Sequence, residues 1–174
     1  MPASIRKLGL TLHVVSSIGW LGAVAAFLAL AVPGLTSESA MTVRGAYVAM
    51  SVVARGVILP LCLASLATGI FQSLITRWGL FQHYWVLLKL VLTVLATLVL
   101  LMHLQPIEDL AVAAAARPLV PTDLRAVRLQ VSADAGAALV VLIASTVLAV
   151  YKPRGVTRYG WRKQQLARNT TSEA

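Results

Sequence analysis

Apolar residues in this chain fall into four long runs. They cover residues 8–32, with His13 as the one ionisable residue; 56–76, led by Arg55; 84–104, holding Lys89 and His103; and 129–151, holding Asp134 near its start. Each run reaches the about 20 residues that carry a helix across about 30 Å of hydrocarbon. None alternates with the two-residue period of a half-buried strand. Helices also close their own backbone hydrogen bonds, which lipid cannot do for them. The pattern predicts an all-α protein: a polytopic membrane four-helix bundle over residues 1–151, with helices at about 7–32, 47–76, 82–104 and 123–151, and a basic tail at 152–174.

The polar positions between the runs predict the connections. Pro33, Gly34, Ser37 and Ser39 mark a loop over 33–44, and residues 77–82 read as a tight turn. The longest loop is expected at 105–122. Within it Pro106, Glu108 and Asp109 look like the first turn of a short helix, continued by 111–116 and ended by Pro118 and Pro121. Thr122 or Asp123 is then placed to cap the fourth helix. Pro60 is expected to kink the second. The tail is expected to fray. Small residues spaced for close helix contact in lipid occur at Gly19/Ala23, Gly22/Ala26, Ser132/Gly136 and Ala133/Ala137.

Composition agrees with lipid as the solvent. Hydrophobic residues make up 59% and charged residues 12%, against about a quarter charged in a soluble fold. Fifteen Lys and Arg against six Asp and Glu give a net charge of +9. The basic residues cluster beside the apolar runs, as orientation signals and contacts to anionic lipid do. No phosphate loop, zinc-type Cys/His spacing or RNA-type aromatic box is present, so nucleic acid is not an expected partner. The single Cys62 excludes an intrachain disulfide. With the N-terminus cytoplasmic, nine basic residues from Arg6 to Arg168 lie inside, against Arg44, Arg117, Arg125 and Arg128 outside. The expectation is a multi-pass protein of a bacterial plasma membrane with both termini cytoplasmic, and with Trp78, Trp85 and Trp161 as an inner aromatic belt. Arg6, Lys7 and Ala29-Leu30-Ala31 also resemble the parts of a signal peptide, but the apolar run between them exceeds the usual length.

Ionisable groups within apolar runs are costly and ask for an account. His13 and Lys89 lie at similar depth from the inner side, with Gln72, Ser73 and Ser145 near them. Arg55, His103 and Asp134 lie toward the outer side. Lys89, Thr93, Ala96 and His103 share one helical stripe, with Lys89 and His103 about 21 Å apart along the axis. Gly9, His13, Ser16, Ser17 and Trp20 form a second small and polar face, and both faces are expected to look inward. Plain structural roles stand beside functional ones. Lys89 and Arg55 can snorkel to water. Asp134 can pair with Arg55 or Arg128 as a structural ion pair. Either histidine can bond a neighbouring helix. The functional reading is a cofactor site: imidazoles within membrane four-helix bundles serve as haem b ligands. His13, Lys89 and His103 are the cofactor-binding candidates, and His13 and His103 the metal-ligating ones. The two histidines belong to opposite leaflets and make a poor axial pair for one haem. Copper is less expected, since no Met-x-x-Met or His-rich cluster occurs.

Lys7-Leu8 with His13 and Trp20-Leu21-Gly22, then Trp78-Gly79 with Trp85 and Lys89, and finally His103, resemble the signature of small four-helix integral membrane proteins of unknown function frequent in actinobacteria. More distantly the chain is similar to the haem-containing membrane protoporphyrinogen oxidase and to the membrane domain of the copper-resistance D family. The resemblance implies a porphyrin or haem site at His13 and Lys89, with His103 as a further position. The oxidase pattern has an arginine at the end of its first helix, where this chain reads Leu30-Ala31-Val32-Pro33-Gly34.

Together these readings give an integral membrane protein that binds haem b or a porphyrin in a redox role. The alternative is a non-enzymatic membrane partner or small transporter with no cofactor. Whether the chain is an enzyme stays open at this point. The expected partners are the lipid bilayer and, at the C-terminal tail, anionic lipids; a homo-oligomer is left open. Topology reporters fused at Ala174 and within 33–44 should report inside and outside respectively. A C-terminal reporter on the outside would overturn the orientation.

Overall fold

The computed structural model describes residues 3–75, 80–117, 119, 123–153, 155–162 and 165. Four rods long and apolar enough to cross a membrane make up most of it. The first is α1 (Ala3–Thr36). The second is α2 (Ala40–Val53), which continues through one wide π turn (Ala54–Ile58) into α3 (Leu59–Ile75). The third is α4 (Tyr84–Ala116) and the fourth α5 (Arg125–Tyr151). Among the described residues there is no strand, only an isolated bridge between His83 and Val156. The chain is an all-α four-helix bundle and a multi-pass membrane protein. Its outward faces are apolar, as Leu8, Val15, Ile18, Leu74, Leu98, Met102, Val140 and Val150 show. Such residues are exposed without cost only in lipid.

α1 packs against the α2–α3 rod and α5, and α4 packs against the same two. Among the described residues, α1 and α4 make no close backbone approach, nor do α5 and the α2–α3 rod. The spans therefore succeed one another around a ring in chain order, up and down. The diagonal gap is left for side chains. Trp20, Phe27, Met50, Ile58, Cys62, Leu110 and Leu142 fill much of it. Arg6 near the start of α1 and Lys152 after α5 line one cavity, so the start of α1 and the end of α5 lie at one end of the bundle, here called proximal.

The rods outrun the apolar runs. α1 has 34 residues, about 50 Å at the helical rise. Pro33 lies inside α1, and only residues 37–39 separate it from α2. The loop expected at 33–44 is thus mostly helix, with Ser39 capping α2 through the Thr42 N–H at 3.4 Å. The expected short helix after Pro106 is the continuation of α4, which runs through that proline to Ala116. Burial explains its persistence: Ile107, Leu110, Ala111 and Ala114 are buried where α4 packs on α2. Their burial offsets the about 3 kcal/mol cost of an internal proline. The interruption expected at Pro60 takes the form of the π turn just before it. There Leu59 N–H reaches back five residues to the Ala54 carbonyl. A proline at 60 has no N–H for residue 56 and crowds that carbonyl, and widening the turn relieves both.

The start of α5 also differs from expectation. Asp123 accepts from Arg117 at 2.6 Å, and the residue at the helix cap is Leu124, in a left-handed conformation. Thr122, Pro118, Pro121, Arg77 and Trp78 lie outside the described residues. The described part of the tail is docked, not frayed. Thr157 bonds the Phe81 carbonyl through its hydroxyl at 2.6 Å and the Gln82 carbonyl through its N–H at 2.9 Å. Among the small-residue pairs, Gly19 meets Leu61 and Ala23 is buried, but a methyl group at Gly22 or Gly136 would meet open space.

Arg128, expected to be available to Asp134, is only 2% exposed and holds the distal end together. Its Nε donates to Tyr47 Oη at 2.9 Å and its Nη2 to the Gly34 carbonyl at 2.6 Å. Tyr47 Oη donates to the same carbonyl at 2.9 Å. Gly34 lets the Tyr47 ring approach closely, since a Cβ would sit 3.1 Å from Tyr47 Cζ. The cation thus satisfies carbonyls at the end of α1, where the helix dipole is negative. It ties α1, α2 and α5 in one contact. Arg128→Leu should cost about 2–4 kcal/mol and Tyr47→Phe about 1–2 kcal/mol, read as thermal unfolding in detergent. Unchanged melting of Arg128→Leu would show that the cluster is not a structural tie.

Candidate functional site

Two cavities succeed one another along the gap between α1 and α4. The proximal one, about 400 Å³, is lined by Arg6, Leu10 and His13 of α1, by Ser65, Gly69, Gln72 and Ser73 of α3, and by Trp85, Lys89 and Thr93 of α4. Lys152 stands at its rim. His13 and Lys89, paired by depth in the sequence, do share this space. So do Gln72 and Ser73, whereas Ser145 is buried outside the wall. The volume lies within the range of small-molecule and cofactor sites.

The His13 ring is held in a definite state. Its Nδ1 lies 3.1 Å from Thr68 Oγ1. That hydroxyl gives its own proton to the Ala64 carbonyl at 2.6 Å, so toward the ring it accepts. Nδ1 therefore carries the imidazole proton and Nε2 keeps the lone pair. A histidine whose other nitrogen is fixed this way is prepared to ligate a metal. Gly69 supplies the room: a Cβ there would lie 3.1 Å from His13 Cε1. Arg6 and Lys89 give the cavity positive charge, and among the described residues no carboxylate lines it. Lys89 enters no ion pair among the described residues. Its charge is available to a ligand.

A belt of small polar groups closes the cavity toward the distal side. Ser17 and Ser65 hydroxyls are 2.7 Å apart, and Cys62 Sγ lies 3.1 Å from Thr97 Oγ1. Beyond it the distal cavity, about 270 Å³, is walled by apolar side chains that include Trp20, Phe27, Ile58 and Leu100. His103 and Asp134 are its polar members, with Nε2 2.8 Å from Oδ2. The His103 ring also bonds the Val99 carbonyl through Nδ1 at 2.8 Å and Gln130 Nε2 through its own Nε2 at 3.1 Å. The stripe Lys89, Thr93, Ala96, His103 does face inward, but it serves two cavities. His103 does not join His13 and Lys89.

The ion pairs also differ from those expected. Arg55 pairs with Glu108, brought beside it by the extension of α4, and Asp134 pairs with His103. Neither Arg55 nor Arg128 reaches Asp134 in an ion pair among the described residues. Among these residues no group of three or more His, Cys, Asp or Glu could hold a metal ion by itself. Thr68 and Gly69 belong to the proximal site although nothing in the sequence marks them, and Arg6, counted above only as a basic orientation signal, belongs to it as well. The contact of Thr68 with His13 joins positions 55 apart in the chain, beyond the reach of any local pattern. No family model matches the chain, and comparisons with curated proteins and with solved structures find no match.

Thr68→Val and Gly69→Val should both displace the His13 imidazole, one by removing its acceptor and the other by filling its space. In histidine-labelled protein in detergent, one imidazole signal should shift in both variants and stay in place in Thr11→Val, a substitution on an exposed face. An unmoved signal in both would contradict the geometry.

Proposed function

We propose that the proximal cavity binds haem b or a related porphyrin, with His13 Nε2 as the axial ligand and Arg6 and Lys89 holding the propionates. The observation that carries this reading is one cavity that joins a lone-pair imidazole nitrogen to unopposed cations. An anionic macrocycle needs an apolar slot, a nitrogen donor and positive charge at its polar edge. Leu10, Leu66, Ile70, Val86 and Leu90 supply apolar wall, and Trp85 an aromatic one. Thr68 keeps His13 in the ligating tautomer, and burial limits access of water to the ring. A bound haem would supply one-electron chemistry at this site, with its potential set by the ligand and by burial. The resemblance of the His13 and Lys89 motifs to haem-containing membrane proteins supports the same reading. His103, fixed within the distal cavity, is not part of it. The protein is proposed to lie in a bacterial plasma membrane with both termini inside and its basic tail on anionic lipid.

The second reading is a small transporter or membrane partner without a cofactor. It is favoured by one observation: two cavities succeed each other along the bundle. The absorbance spectrum separates the two. Protein purified in detergent, as isolated or after adding haemin, should show a haem Soret band that His13→Ala abolishes or shifts. Lys89→Met should weaken haemin binding about tenfold or more, as loss of a charged contact does. A colourless preparation that takes up no haemin would end the proposal.

A further inference from the structure

We propose that the distal cavity is a second binding site, for a small organic ammonium ion with an apolar, aromatic-sized body. It differs in kind from the proximal one. Where the proximal cavity has cations and no carboxylate, the distal cavity has Asp134 and neither lysine nor arginine in its wall. Opposite charge at the two sites selects opposite ligands.

The carboxylate lies nine residues into α5, about 13 Å from its start, where an ionisable group in a span calls for a partner. The nearest partner serves it poorly. His103 Nδ1 lies 2.8 Å from the Val99 carbonyl oxygen, and Nε2 lies 3.1 Å from the Gln130 amide nitrogen. A neutral ring that gives its Nδ1 proton to that carbonyl has none left for Asp134, and the 2.8 Å contact is an ion pair only when the ring is protonated. Oδ2, although 2.8 Å from Nε2, is buried without an aligned hydrogen bond. Arg55, the cation expected there, is engaged with Glu108. The cavity thus presents a buried acceptor that lacks a donor, at the edge of an apolar chamber. An ammonium group satisfies such an acceptor, and the chamber takes the rest of the molecule out of water. Trp20 and Phe27, both almost fully buried, add aromatic wall that favours a cation. A neutral apolar ligand would leave Asp134 as it is, and an anion would be repelled.

The test is isothermal titration of the full-length protein in detergent with benzylammonium, methylammonium and benzoate. Benzylammonium should bind saturably at one site, and the other two at least about tenfold more weakly. Asp134→Asn should lose at least about tenfold in affinity. Ala138→Phe, which fills the chamber and keeps the carboxylate, should lose binding while the particle stays monodisperse. This second variant decides the matter if Asp134→Asn does not fold. No saturable binding, equal binding of benzoate, or unchanged affinity in a folded Asp134→Asn protein would each overturn the proposal. Equal binding of methylammonium would overturn the role given to the apolar chamber.

Discussion

Hydrocarbon gives a polar atom nothing to bond to, and in this molecule nearly every polar group within the spans is answered from inside the bundle. Hydroxyls turn back on their own helices: Thr36 to the Val32 carbonyl, Ser73 to Gly69, Thr97 to Thr93, Ser132 to Arg128 and Thr146 to Leu142. Arg128 directs its donors to carbonyls and a phenol. The exceptions are informative for this reason. Among the described residues, the buried side-chain oxygens without a hydrogen bond are Gln72 Oε1, Asp134 Oδ2 and Ser145 Oγ. Gln72 belongs to the wall of the proximal cavity and Asp134 to that of the distal one. Where the rule of internal satisfaction lapses, there is usually space beside it.

That space results from the ring order of the spans. With α1 and α4 on a diagonal, their facing side chains must fill the gap alone. Large residues do so at some levels, as Trp20 and Phe27 do. Near the middle the residues are Ser16, Ser65, Cys62 and Thr97, small and hydrogen-bonded. The result is a partition with a chamber on either side, each with its own charge. The sign of each chamber is set by few residues, so the electrostatic character of the site owes more to the missing opposite charges than to the number present.

The spans were legible because composition and run length report the solvent directly. The shared placement of His13 and Lys89 was legible too, since depth within a span is counted from its end. The inward stripe on α4 came from helical spacing alone. What escaped was whatever depends on helix continuing beyond the apolar run. Pro106, Glu108 and Asp109 look like an ending. Only the buried face of 107–114 against α2 reveals a continuation, and that face exists only once the two rods meet. The partner of Arg55 was missed for the same reason. The tie among Gly34, Tyr47 and Arg128 joins three helices, and no spacing along the chain encodes it.

The π turn at 54–58 sets how the two halves of one rod are rotated about their common axis. An added residue rotates the remainder of the rod by about 100° relative to an uninterrupted helix. On its distal side, Tyr47 is keyed to Arg128; on its proximal side, Thr68 and Gly69 are keyed to His13. Without that offset the proximal half would present a different side to α1, and Cys62 and Ser65 would leave the interior. The widened turn therefore acts as an indexing joint. It lets anchoring at one end and imidazole control at the other be satisfied by a single stretch of chain.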